Sequence, residues 1–502
     1  VPSATSNDLL ADITQPLLAE QGELCPGQGQ VQVPAIDPAG FGGGGFIRAH
    51  GLRYPYMAGA MANGIASTAL AAALGKAGML GSYGAGGQGL ADIRQAVAEL
   101  RQSGNPFAVN LIHSPHEPRH EEAVVDLLLE HQVSRVEASA YLDLTPAVVR
   151  YRLHGLQAGT NGEAVGTNRI IAKASRVEVA RRWLNPPPRR LVQPLVDSGA
   201  ITAEQAQLAE RLPMADDLTA EADSGGHTDK QAFISLLPTF LSLAERIRAE
   251  HGWAQPTRIG AAGGMATPAA IAAAFAMGAA YVVTGSINQA CLESGSCERV
   301  RQLLAEVDQA DVCMAPAADM FELGVKLQVI KRGTMFPMRA QKLYDLYQGY
   351  GSWDAIPAAE RAKVEKKIFR RNYTEIWRDT LAFWQQREPA QAAKAQQDPK
   401  RQLALCCRWY LGLSSIWANR GVPERALDYQ IWAGPAMGAF NEWTRDSFLA
   451  DPAQRRAAVV ARNLLYGAAV QTRLSMLRSQ GIDPGAIAIR PRLDDELQRF
   501  FA

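Results

Sequence analysis

The stretch Arg258-Ile-Gly-Ala-Ala-Gly-Gly-Met-Ala-Thr-Pro268 decides the fold. It begins as a short apolar run of strand length, breaks at Gly263-Gly264 and passes at once into a helical pattern from Pro268. Tyr281-Val-Val-Thr-Gly-Ser286 repeats the design, an apolar run closed by glycine. Backbone N–H groups opened by glycine and followed by a helix suit a phosphate monoester. Either glycine site alone is no more than a tight turn. Two at adjacent strand ends favour a phosphate, and such a site after strands seven and eight recurs in (β/α)₈ barrels.

Working outward, short apolar runs alternate with Ala/Leu/Glu-rich segments of helical period from residue 53 to residue 284. Strands are expected at 54–58, 79–83, 107–112, 135–140, 170–175, 218–223, 258–262 and 281–284. Helices are expected at 67–76, 90–103, 121–132, 145–156, 176–184, 231–251 and 268–277. An open doubly wound sheet shows similar alternation. Polar and glycine residues at the C-terminal ends of nearly all the strands favour the closed (β/α)₈ barrel. The fold class is therefore α/β, a barrel at 51–310 with an insertion at about 185–215, where Asn185-Pro-Pro-Pro-Arg-Arg ends one helix and two more follow.

Residues 1–50 read as a lead-in with a weak helix at 8–20, and Gly42–Gly45 reads as a flexible turn with no helix opening there. After the eighth strand no further strand is expected. Residues 311–502 read as a helical cap or side domain, in which Tyr344, Tyr347, Tyr350, Trp377, Phe383, Trp384, Trp409, Tyr410 and Trp417 would form helix–helix core. The polar stretch 390–397 reads as an exposed link.

At 502 residues the chain exceeds one ordinary core, and 47% hydrophobic residues can bury a large interior. A net charge of +1 points to neither nucleic acid nor a membrane surface. No run is long and apolar enough for a membrane span, and the N-terminus does not read as a signal peptide. Six cysteines without a close metal-ligand pair suit a reducing cytoplasm.

The sixth strand end, Glu221-Ala-Asp-Ser-Gly-Gly-His-Thr228, singles out His227. A lone histidine is usually structural, but the glycines before it open space for a planar ligand, and it can hold a proton near neutral pH. Asn110 and Lys173 end strands three and five. Amide and ammonium groups suit the negatively charged edge of a reduced flavin, and strand-end hydrogen bonding explains each equally well. His113, His116 and His120 have helical metal-ligand spacing, but Pro115 and Pro118 interrupt the helix, so no metal site is expected. Lys326, Lys331, Arg332, Arg339 and Lys342 form a basic run, either a solvated face or a contact for an acidic carrier.

Tyr56-Met-Ala-Gly-Ala-Met-Ala-Asn63, Val109-Asn110, Ala172-Lys-Ala-Ser175, Ala222-Asp-Ser-Gly-Gly-His227, Ala262-Gly-Gly264 and Val283-Thr-Gly-Ser286 together resemble the FMN-dependent 2-nitropropane dioxygenase-like superfamily. The segment from Ala315 to Tyr344 is similar to the trans-acting enoyl reductases of polyketide and polyunsaturated fatty acid synthases. That resemblance implies FMN over Met57, Ala58 and Gly59, with Asn110 and Lys173 on the ring. It implies Ser224, Gly225, Gly226, Gly263, Gly264, Thr284, Gly285 and Ser286 around ribityl and phosphate, and His227 near the reacting face. It also implies NADPH as co-substrate and an enoyl thioester on an acyl carrier protein; Lys331 and Arg332 of the basic run are the expected carrier contacts. Whether the chain forms a homo-oligomer stays open. The alternatives are a nitronate monooxygenase using dioxygen and a non-catalytic, flavin-bearing docking module.

Overall fold

A computed structural model describes residues 6–20, 23–26, 33–113, 115, 117–160 and 162–501. Eight parallel strands close into a barrel: Tyr56–Ala58, Leu80–Tyr83, Phe107–Ile112, Arg135–Ser139, Arg169–Ala174, Asp217–Glu221, Arg258–Ala262 and Val282–Thr284. All eight expected strands are present, in chain order around the ring. Strand residues alternate between the lumen and the surrounding helices. Met57, Leu80, Ala108, Ile171, Tyr281 and Val283 pack together inside, and Ala262 completes the cluster. Two steps along, the same inward rows carry Gly59, Asn110 and Lys173, so the apolar lumen turns polar towards the C-terminal ends.

The opposite end is closed. Contrary to the sequence reading of Gly42–Gly45, a helix does open there, Gly45–His50. It drops Phe46 onto the Tyr281 ring at 4.0 Å. His50 Nε2 lies 2.8 Å from Asp217 Oδ2, with both side chains fully buried. Arg258 donates to both oxygens of Asp217, at 2.5 and 2.9 Å. Burial alone would raise the Asp217 pKa, but His50 and Arg258 more than offset it and hold the carboxylate below its ordinary range.

Three further expectations need correction. The helix at the N-terminus covers only Ser6–Ala11, and Leu17–Glu20 instead pairs antiparallel with Glu23–Pro26. Asp12 turns the chain by accepting from the Thr14 N–H at 3.2 Å, and Pro16 lacks the N–H a resumed helix needs. Residues 390–397 belong to a helix, Pro389–Gln397, which buries Ala392 and Ala395. Strands also exist beyond the barrel. Val312–Pro316 and Lys326–Ile330 pair antiparallel, and Gly226–His227 joins as the third strand, with His227 opposite Leu327.

Helices make up most of the remainder. Phe336–Gly349, Tyr373–Arg387 and Pro399–Arg420 enclose a separate core that includes Phe336, Leu343, Ile376, Leu403 and Tyr410. The C-terminal half of Pro399–Arg420 is tied to the loop after strand one. Asn63 Nδ2 donates to Ser415 Oγ at 2.8 Å, and Asn419 Nδ2 donates to the Asn63 carbonyl at 3.4 Å. That helix therefore roofs the C-terminal end of the barrel. The last long helix, Ala457–Ser479, packs against Pro268–Ala276 on the outside.

Candidate active site

Between barrel and roof lies a cavity of about 830 Å³. Its floor is the polar tier of the lumen. Register pairs Asn110 with Glu137 across strands three and four, and Lys173 with Thr219 across strands five and six. Lys173 Nζ sits 3.5 Å from Glu137 Oε1 and 3.4 Å from Glu221 Oε1. Burial alone would depress its pKa, but the two carboxylates outweigh burial and raise it, so Lys173 stays an ammonium. Glu137 Oε2 accepts the Ala60 N–H at 2.7 Å, which fixes the loop after strand one. Asn110 Nδ2 donates to the Glu137 carbonyl at 3.0 Å and to Ser139 Oγ at 3.2 Å.

His227 stands on the wall. Its Nε2 is 3.1 Å from Asp319 Oδ1, and the pair is partly exposed to the cavity. Burial pulls the His227 pKa down, yet the Asp319 charge and hydrogen bond override it, so the imidazolium persists above its ordinary range. Gln328 holds the loop before His227, donating from Nε2 to Asp223 Oδ1 at 2.9 Å and to the Ser224 carbonyl at 2.8 Å. Ser286 Oγ accepts the Gly434 N–H at 3.1 Å, pinning the segment that carries Trp432 to the eighth strand end.

Gly59, Asn110, Lys173, Ser224, Gly225, Gly226, His227, Gly263, Gly264, Thr284, Gly285 and Ser286 all line this one cavity. Met57 and Ala58 do not. Met57 is packed in the lumen core and Ala58 against the outer helices. The Thr284 hydroxyl is engaged by Tyr56 OH at 2.7 Å and by Asn288 Nδ2 at 2.8 Å. Lys331 and Arg332 are not brought to the cavity. They follow Ile330, the end of that strand remote from His227, and Arg332 lies within 4.0 Å of Glu306, Asp308 and Asp311.

Residues the sequence reading passed over do face the cavity. Asp319 lies 92 positions after His227, so no local spacing links them. Glu137 carried a signal, a carboxylate between the apolar Val136 and Ala138 in the middle of a strand. His113 and His120 also line the wall, with His113 Nδ1 3.1 Å from Glu121 Oε2, while His116 lies outside the described residues. Phe383, Trp384 and Trp409, expected as helix–helix core, contribute to the cavity wall as well.

The Lys173 ammonium, the Asn110 amide and the Ser224 hydroxyl, the last buried without a hydrogen-bond partner, bring donor groups to the cavity. At Gly264 and Gly285 an added Cβ would meet nothing within 4 Å, so both strand ends leave open space. Gly263 is different, since at φ +81° its Cβ would strike the Ala222 backbone at 2.6 Å.

A parallel barrel with a histidine–aspartate pair, an ammonium between carboxylates and open glycine loops at one rim has the layout of a barrel enzyme, with its site at the C-terminal strand ends. Comparison with known proteins makes this specific. The model of the nitronate monooxygenase family matches residues 46–344. Residues 350–429 match a second model, the inserted helical domain of [acyl-carrier-protein] S-malonyltransferase. The enoyl reductase domain of MlnA, from the macrolactin cluster of Bacillus amyloliquefaciens, has a TM-score of 0.82 at 35% identity, covering 88% of this chain and 99% of that one. Polyketide biosynthesis protein PksE of Bacillus subtilis (strain 168) is 41% identical over 87% of this chain and 57% of its own length. A polyunsaturated fatty acid synthase polypeptide of Thraustochytrium sp. is 45% identical over 98% of this chain. The chain spans 33% of that polypeptide, so it corresponds to part of these longer curated relatives. The chain belongs to the nitronate monooxygenase family, within its group of synthase-associated enoyl reductase domains.

Proposed function

We propose that the chain is an FMN-dependent enoyl reductase that uses NADPH to saturate the α,β-double bond of a thioester carried on an acyl carrier protein, acting in trans. The observation that carries this reading is the convergence on one cavity of His227–Asp319, Lys173 and the glycine strand ends. Gly225, Gly226, Gly263, Gly264, Gly285 and Ser286 would hold the ribityl and phosphate groups. Asn110 and Lys173 would meet the ring edge, and the Lys173 ammonium would favour its anionic reduced form. FMN, when bound, supplies hydride transfer from NADPH to the β-carbon.

The protein's own part is proton management and orientation. Asp319 occupies Nε2 of His227, which leaves Nδ1 for the substrate. A protonated His227 can deliver that proton to the α-carbon or polarise the thioester carbonyl. The Glu137–Lys173–Glu221 set keeps the floor charged and rigid. The likeness of residues 350–429 to a domain inserted in an acyl-carrier-protein enzyme supports a carrier-borne substrate.

The test is a paired assay on purified, flavin-reconstituted protein. NADPH consumption with a crotonyl-pantetheine thioester is expected, with negligible oxygen uptake on a nitronate. Oxygen uptake with the nitronate and no NADPH-linked reduction would instead assign a nitronate monooxygenase. Failure to retain FMN would remove both readings.

A further inference from the structure

The roof helix Pro399–Arg420 turns one face to the cavity. Leu405, Trp409, Gly412, Leu413 and Ile416 line it, at helical intervals of four, three, one and three. Phe383 and Trp384 from the neighbouring helix add to the same wall. The polar side chains among them are already engaged: Arg408 lies 3.3 Å from Glu322, and Ser415 accepts from Asn63. The face left towards the cavity is therefore a strip of hydrocarbon and aromatic surface. The other face of the helix, with Cys406, Cys407, Tyr410 and Leu411, is buried in the helical core.

Gly412 stands in the middle of that strip. A glycine inside a helix is a destabilising choice compared with alanine, because it adds backbone entropy and contributes no packing. Helices keep one where a neighbour comes too close or where the backbone leaves the helical region. Neither applies here. A Cβ built on Gly412 would meet no atom within 4 Å, and the helix runs without interruption from Pro399 to Arg420. What the missing side chain leaves is volume inside the cavity.

We propose that Gly412 is a specificity-determining position, holding open an apolar groove under the roof helix that takes the hydrocarbon tail of the acyl thioester. The groove is lined by Trp409, Leu413 and Ile416 along the roof helix and by Trp384 of the neighbouring helix, and its depth sets the chain length accepted. This rests on the enoyl thioester reading above, which fixes the reacting end of the substrate near His227. Apolar burial is the physical basis of the selection, at about a fourfold gain in affinity for each methylene taken out of water.

Two measurements on the flavin-loaded protein test it. In the first, kcat/KM is taken for 2-enoyl-pantetheine thioesters of four to twelve carbons in wild type, Gly412→Ala and Gly412→Leu. The twelve-to-four-carbon ratio is expected to fall at least about tenfold in Gly412→Leu and much less in Gly412→Ala. An unchanged ratio overturns the proposal. In the second, saturated butyryl- and dodecanoyl-pantetheine are titrated and the rise in Tm is read, which needs no turnover. Loss of the dodecanoyl-specific stabilisation in Gly412→Leu supports the groove even where no thioester is reduced, an outcome that would sink the reductase reading alone. Equal dodecanoyl stabilisation in wild type and variant overturns the groove. Should Gly412→Leu fail to fold, Ile416→Trp narrows the same groove one turn further on and is read by the same two criteria.

Discussion

The two ends of the barrel hold comparable buried charge clusters under different covers. At the closed end Asp217 is gripped by His50 and Arg258, with Phe46 stacked on Tyr281 above them. At the open end Lys173 lies between Glu137 and Glu221, and the Ser224 hydroxyl has no hydrogen-bond partner, beside a large cavity. Both clusters are internally paired and differ in what covers them: Phe46 and Tyr281 seal the closed end, whereas the open end faces the cavity. Under the proposed function, the closed end serves the fold and the open end serves chemistry.

Four variants strain that contrast, in descending order of effect. Gly285→Asp puts bulk and negative charge into open space at the eighth strand end, where no protein atom is disturbed. Complete loss of flavin is expected, read as absorbance of the purified protein, with Tm close to that of the wild-type apoprotein. Full flavin occupancy would move the phosphate elsewhere. Gly263→Asp is the poorer variant, since its collision with Ala222 mixes a folding defect into the result. Asp217→Ala strands Arg258 and His50 at the closed end. Breaking a buried pair from one side costs about 3–5 kcal/mol, and the exposed part of Arg258 argues for the lower figure. Denaturant midpoints should report this loss while the flavin spectrum is retained; a stable Asp217→Ala protein with altered turnover would erase the contrast.

Asp319→Asn acts through His227. With Asp319 present, the folded His227 pKa is raised, so the proton is retained above the ordinary histidine range and lost only as pH climbs past the raised value. Without that charge, burial dominates and the pKa falls. The alkaline limb of the kcat/KM profile should therefore move to lower pH. The loss of rate at the optimum should be smaller than the about 10²–10⁴ attributed to removing a general acid outright. An unmoved limb would show that Asp319 does not tune His227. The smallest effect belongs to the double variant Lys331→Glu, Arg332→Glu. These side chains lie off the cavity and Arg332 already faces three carboxylates, so KM for a carrier-delivered enoyl substrate should rise only slightly, and less at high salt. A short pantetheine thioester should respond no differently from wild type. A large rise confined to the carrier-borne substrate would put the docking surface on this side sheet.

The barrel was legible because each strand ended in glycine or a polar residue that broke an apolar run. The cavity loops at Gly225-Gly226, Gly263-Gly264 and Gly285 were legible for the same reason. Val312–Pro316 and Lys326–Ile330 were not. The first carries Ala-Pro at its end and the second begins with Lys326, so their hydrophobic pattern is short and looks like a helix edge and a solvated face. Asp319 was invisible for a topological reason, since only folding brings it to His227. Most of the expected aromatics do pack between helices, but the cavity-lining part of Phe383, Trp384 and Trp409 was not legible, because helix packing and cavity lining select the same residue types and periodicity does not say what lies opposite.

The pairing of His227 with Leu327 also has an engineering consequence. The catalytic candidate is itself a strand of a sheet whose other two strands, and whose Asp319, come from beyond residue 311. A chimera that keeps the barrel and swaps everything after it would exchange the histidine's hydrogen-bond partner and its backbone neighbour together. Recombination between relatives should place its crossover after Ile330, so that the histidine travels with the sheet that sets its angle and its charge.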